Sequence, residues 1–94
     1  MGSKIVDSKT FKVYLDGFEA QATIIQYKVG LVKIIIAKKW MSNTEFMNDL
    51  SFKLFGKYLD KEIHKTCTSF LVDFHTIEEA VDLLRSKGIE ATEL

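Results

Sequence analysis

Phe11-Lys12-Val13-Tyr14-Leu15-Asp16-Gly17-Phe18 is the stretch on which the fold turns. Phe11, Val13 and Leu15 alternate with Lys12 and Tyr14, the period-two pattern of a strand with one face buried. Asp16-Gly17 follows at once. An Asp-Gly pair between two such patterns is a strong hairpin signal, because a two-residue type I′ turn needs positive φ at both positions. A second strand is therefore predicted from Phe18 through Ala20, Ala22, Thr23, Ile24 and Ile25 to Tyr27. It ends at Val29-Gly30, where another turn fits.

Beyond that turn, Leu31 to Trp40 reads as a third strand. Val32, Ile34 and Ile36 fall on one face, and Lys33, Ile35, Ala37 and Lys39 on the other. Both faces are partly apolar, as expected of a central strand. The chain thus opens with a three-stranded antiparallel meander, and residues 4–6 extend its first strand.

The second half alternates between helix and strand signals. Ser42-Asn43-Thr44-Glu45 forms a capping box, in which the first and fourth residues satisfy backbone donors at a helix start. The apolar arc of Phe46, Met47, Leu50, Leu54, Phe55, Tyr58 and Leu59 predicts a helix packed against the sheet. A fourth strand is expected over Cys67 to Phe74. Thr76-Ile77-Glu78-Glu79 is a second capping box, followed by Ile77, Ala80, Val81 and Leu84 at helical spacing and by Gly88 as terminator. Ile89 to Leu94 suits a final edge strand. The expected class is α+β: an antiparallel three-stranded meander followed by α-β-α(-β), with the helices packed on one side of the sheet.

The 94 residues suit one domain, and 47% hydrophobic with 12% aromatic content excludes a disordered chain. A core this small gives modest stability, so homodimer formation is an open option. The longest apolar run, Ile34-Ile35-Ile36-Ala37, is far below the ~20 residues of a membrane span. One cysteine and the lack of a leader pattern at the start point to a reducing, cytoplasmic location. The net charge is zero but unevenly spread. Residues 1–65 carry eleven Lys against seven acids, and residues 66–94 two basic residues against six acids.

No enzyme assembles from these parts. Cys67 with His64 or His75 is the one nucleophile and base pairing on offer, and it lacks an orienting third group. Those three residues also fall short of the four ligands of a zinc site. Neither helix start carries the glycine-rich loop that closes on phosphate. No catalytic residue, metal or cofactor is expected. What remains is a lysine and aromatic set: Lys12, Tyr14, Lys33, Lys38, Lys39 and Trp40. Lysines neutralise phosphates and exposed aromatic rings stack on unpaired bases, so this set suits RNA better than duplex DNA. The same lysines also serve to keep a small domain soluble, and Trp40 suits a core anchor or a protein interface equally well.

Taken whole, the chain is short, rich in Lys, Ile and Phe and free of proline. In that texture it resembles the small accessory proteins of T4-like phages. The resemblance implies a regulatory protein in the host cytoplasm that binds nucleic acid or one host protein. Two functions follow as expectations. One is a non-enzymatic regulatory module that binds RNA through the lysine and aromatic set. The other is an inhibitor of a host or defence protein, acting through an edge strand or the Trp40 region.

Overall fold

A computed structural model of the chain describes residues 4–15, 17–37, 50 and 52–94. Among the described residues the strands are β1 (Ile5–Leu15), β2 (Phe18–Tyr27), β3 (Leu31–Ala37), β4 (Asp60–Ile63), β5 (Cys67–Val72) and β6 (Glu90–Glu93), with a helix, α1 (Ile77–Ser86), between β5 and β6. They form a single six-stranded sheet in the order β4-β5-β3-β2-β1-β6, and every neighbouring pair is antiparallel.

The meander forms as its alternation demands. Leu15 pairs with Phe18 across the first turn, where Gly17 has φ +86°. Asp16 lies outside the described residues. The second turn is a three-residue loop whose Gly30 amide donates to the Tyr27 carbonyl at 3.2 Å. Gly30 has φ +89°, the left-handed residue that such a loop requires. Phe11, Val13, Leu15, Ala20, Ala22, Ile24, Val32, Ile34 and Ile36 all point to one face and are buried, joined there by Phe70 and Val72 of β5.

α1 covers that face. Thr76 caps its start, accepting the Glu79 amide at 3.2 Å, while the Glu79 carboxylate accepts from the His75 amide and the Thr76 hydroxyl. A side chain from the sheet completes the cap: Gln26 of β2 accepts the Ile77 amide at 3.1 Å. Ile77, Ala80, Val81 and Leu84 are buried against the strands, each large one stabilising the fold by about 1.5–3 kcal/mol. The helix closes in a Schellman arrangement, with Gly88 N–H to Arg85 C=O and Ile89 N–H to Leu84 C=O, and Ile89 is buried. α1 thereby carries the chain across the sheet from β5 to the far edge, where β6 pairs with β1.

The expected α+β class with several helices on one side of the sheet does not hold. The described residues are 54% strand and form mostly antiparallel β-sheet with one short helix. The difference lies in residues 50–63. The capping box at Ser42 and Glu45 lies outside the described residues. Leu50, Phe52 and Lys53 are helical, but the backbone then turns, with Gly56 at φ +80°, and enters β4. Of the described residues of the expected apolar arc, Leu50, Leu54 and, in part, Tyr58 pack on the core, whereas Phe55 and Leu59 are exposed. Asp60-Lys61-Glu62-Ile63 forms a strand that its polar composition concealed, because an edge strand with both faces near water has no hydrophobic alternation to show.

Candidate interaction surface

The second face of the sheet carries no described element. Its side chains follow the alternation opposite to the core: Lys12 and Tyr14 on β1, Glu19, Gln21, Thr23 and Ile25 on β2, and Lys33, Ile35 and Ala37 on β3. Cys67, Ser69 and Leu71 continue it on β5, and Asp60 and Glu62 on β4. Three of the six residues expected to bind nucleic acid, Lys12, Tyr14 and Lys33, therefore share this face. Lys38, Lys39 and Trp40 lie outside the described residues.

Each of the three stands among carboxylates. The Lys12 ammonium is 3.7 Å from Glu19, an exposed pair worth under about 1 kcal/mol. Lys12 and Tyr14 border a depression that also holds Glu19, Arg85 and Glu90. Lys33 is separated from them by β2 and also along it, since Lys12 and Tyr14 pair with Gln21 and Glu19 whereas Lys33 pairs with Ile25, a separation of roughly 17 Å or more at the usual strand spacing and rise. Its ammonium lies over the Tyr27 ring, 5.9 Å from the centroid.

Lys33 belongs to a different feature, a groove of about 340 Å³ running between β3 and the β4 edge. The strand pairing builds it. Leu71 and Ser69 of β5 form the floor, and Asp60 and Glu62, paired directly opposite them, form the outer wall. Leu31, Lys33 and Tyr27 form the inner wall. Ser69 is only 6% exposed, and among the described residues its hydroxyl has no hydrogen-bond partner. Asp60 accepts the Lys61 amide at 2.9 Å, and Glu62 lies 3.3 Å from the His64 imidazole.

The two edges of the sheet differ. Leu94 N–H donates to Thr10 C=O, so by the antiparallel alternation Ala91 and Glu93 turn their backbone groups toward the free edge. The Arg85 guanidinium occupies the Ala91 carbonyl at 2.8 Å, and Glu93 reaches Lys9 at 3.9 Å. At the other edge, His64 N–H donates to Cys67 C=O in the β4–β5 turn, which leaves the backbone of Lys61 and Ile63 facing outward. Only the Lys61 amide is engaged by a side chain among the described residues, that of Asp60. The chain that leads into and forms this edge holds Phe52, 83% exposed, Phe55, 78%, Leu59, 63%, and Ile63, 68%.

Cys67 is half-buried on the uncovered face, with His64 opposite it in the turn. His75 lies elsewhere, against Gly30. Among the described residues no three His, Cys, Asp or Glu side chains group as metal ligands, and no helix is long and apolar enough to cross a membrane. Compared with protein families, with curated proteins and with solved structures, the chain finds no match, so no residue role is carried over from another protein.

Sequence patterns did not single out the β4 edge and its groove. Asp60 and Glu62 share a face at strand spacing, a signal visible only once 60–63 is taken as a strand. For Phe52 a clue existed. At about 100° per helical residue, Leu50 and Leu54 define one direction and Phe52 points nearly opposite.

Proposed function

We propose that this chain is a non-enzymatic binding module that captures a partner protein at the β4 edge, by pairing a strand of the partner with β4. The observation that carries this reading is the run of four large exposed apolar side chains, Phe52, Phe55, Leu59 and Ile63, in the segment that leads into and forms an edge with no neighbouring strand among the described residues. Isolated exposed apolar residues are ordinary, but several aromatic and aliphatic ones beside unpaired strand backbone suit strand addition. Covering each of them is worth about 1.5–3 kcal/mol. Association costs at least several kcal/mol, so the anchors and the backbone pairing are needed together. A regulator or inhibitor of one cytoplasmic protein works this way.

The test is a quantitative pull-down with the tagged chain from nuclease-treated extract, at about 0.15 M and about 1 M salt. The expected result is one polypeptide retained at both salts and lost with Ile63→Pro, which blocks the edge, and with the Phe52→Ser/Phe55→Ser pair. Retention unchanged in both variants overturns the proposal.

A nucleic-acid role is the second reading, supported by Lys12, Tyr14 and Lys33 on one uncovered face. The carboxylates of Glu19, Asp60, Glu62 and Glu90 on that face weigh against it, since each opposes a phosphate backbone. Its signature in the same experiment, run without nuclease, is RNA that co-purifies at the lower salt and leaves at the higher.

A further inference from the structure

Resting on the strand-addition reading, we propose that the groove beside β4 receives a basic side chain of the added strand, so that the partner segment alternates basic and apolar residues. Strand addition fixes which side chains can enter. Residues of an incoming strand alternate between the two faces of the sheet, and those on the uncovered face stand directly beside Asp60 and Glu62, about 4.8 Å away. Asp60 and Glu62 are two residues apart on one face, hence about 6.7 Å apart along the strand. A cation between them meets both.

The interior of the groove suits the same guest. Leu31 and Leu71 offer apolar surface for the methylene stem of Arg or Lys, which packs while its charged head seeks acceptors. Ser69 lines the same space, and its hydroxyl has no hydrogen-bond partner among the described residues. Asp60 and Glu62 against Lys33 leave the groove with a net charge of −1, so an anionic guest is opposed and a cation favoured. Arg fits better than Lys, because its planar fork can meet a carboxylate and a hydroxyl at once.

The opposite set of positions on the incoming strand faces the core side of the edge. There it meets Ile63 and the Lys61 stem, which pair with Thr68 and Phe70. Those positions call for apolar residues. A second copy of this chain is a poor occupant. Antiparallel pairing of β4 with itself, centred on Lys61 or on Glu62, sets Asp60 against Glu62 or Glu62 against its own copy, and like charges directly opposed are destabilising.

The experiment is an amide NMR titration of the full chain with two blocked peptides, one alternating Arg and Val, the other alternating Glu and Val. The expected result is that the Arg peptide shifts the amides of Asp60 to Ile63 together with Tyr27, Ser69 and Leu71, and binds at least about tenfold more tightly than the Glu peptide. Asp60→Asn/Glu62→Gln should abolish that preference. Both changes are at exposed sites, so the unliganded spectrum should keep its dispersion, and Ser69→Ala should weaken the Arg peptide severalfold. If both peptides shift β4 equally, or if the preference survives the double variant, the basic-guest proposal fails while strand addition stands. If neither peptide moves the β4 amides, strand addition itself fails. If the Arg peptide shifts only the acidic face of α1, at Glu78, Glu79 and Asp82, the groove is not the site.

Discussion

Gly30→Ala isolates how tightly the β2–β3 turn is held. Two separable costs arise. Gly30 has φ +89°, and an L-residue in left-handed backbone costs about 1–2 kcal/mol. A Cβ at this position would also stand 2.8 Å from Nδ1 and 2.9 Å from Cε1 of His75, so the ring must turn aside. An exposed side chain does so for about 0.5–1.5 kcal/mol. Against both stands the reduced freedom of the unfolded chain, which returns about 0.4–1 kcal/mol. The net expectation is a loss of about 1.5–2 kcal/mol. With a urea dependence of about 1–2 kcal/mol per molar, the midpoint falls by roughly 1 M. Urea unfolding of four proteins, wild type, Gly30→Ala, His75→Ala and the double variant, separates the terms. His75→Ala alone should be close to neutral, because its amide bond to Glu79 uses the backbone. In the double variant it should restore about 1 kcal/mol, leaving the backbone cost. An unchanged midpoint in Gly30→Ala would refute the turn geometry, and absence of coupling would refute the contact with His75.

Two further stability tests address how helix and sheet are joined. Gln26→Leu removes the acceptor of the Ile77 amide and should cost about 1 kcal/mol, with faster hydrogen exchange in the first turn of α1. Gln26→Glu keeps an acceptor and adds negative charge at a helix start, so it should retain most of that stability, and equal loss in both variants would refute the cap. Phe70→Ala empties a fully buried site where the ring meets Tyr58 edge-on at a 5.2 Å centroid distance. It should cost about 3–5 kcal/mol, a large share of the roughly 5–14 kcal/mol expected for a chain of this length. A loss below about 1 kcal/mol in thermal or urea melts would mean that Phe70 is not the centre of this half of the core.

What was legible in the sequence was local. Phe11 to Leu15 and Leu31 to Ala37 alternate because a sheet face turns every second side chain inward. Thr76, Glu79 and Gly88 stand where a ten-residue helix needs its caps. The order of the strands was not legible, because it depends on pairings between distant segments: β5 beside β3, and β6 beside β1 after α1 crosses the sheet. The helix expected through Leu59 failed at Gly56, where apolar spacing continued after the backbone had turned. β4 was missed for the reason that makes it interesting. A strand at an edge does not bury a face, so Asp60-Lys61-Glu62 looks like solvated loop. Of the expected site, Lys12, Tyr14 and Lys33 do share a face, but of the carboxylates around them only Glu19 stands close in sequence, across the first hairpin, while those of β4 and β6 come from remote segments that the fold brings near.

The contrast between the two edges bears on function more than any single side chain does. An exposed sheet edge invites pairing with any extended chain, and proteins ordinarily obstruct it. Here β6 is obstructed by specific means. The only arginine among thirteen basic residues, Arg85 in the last turn of α1, reaches over to the Ala91 carbonyl. A guanidinium is the side chain best suited to hold such a position while the helix holds its base. Among the described residues β4 has only the short-range bond from Lys61 N–H to its neighbour Asp60, which an incoming strand can displace for about 0.5–1.5 kcal/mol. Solubility alone would favour closing both edges and placing polar residues at 52, 55, 59 and 63. Two Phe, a Leu and an Ile stand there instead, in the chain that leads into and forms β4, and the acidic wall of the groove lies within one strand spacing of whatever pairs with that edge. In the proposed function, backbone pairing, apolar cover and a charge filter act together at the β4 edge, and each is weak enough alone that a partner would have to satisfy all three to bind.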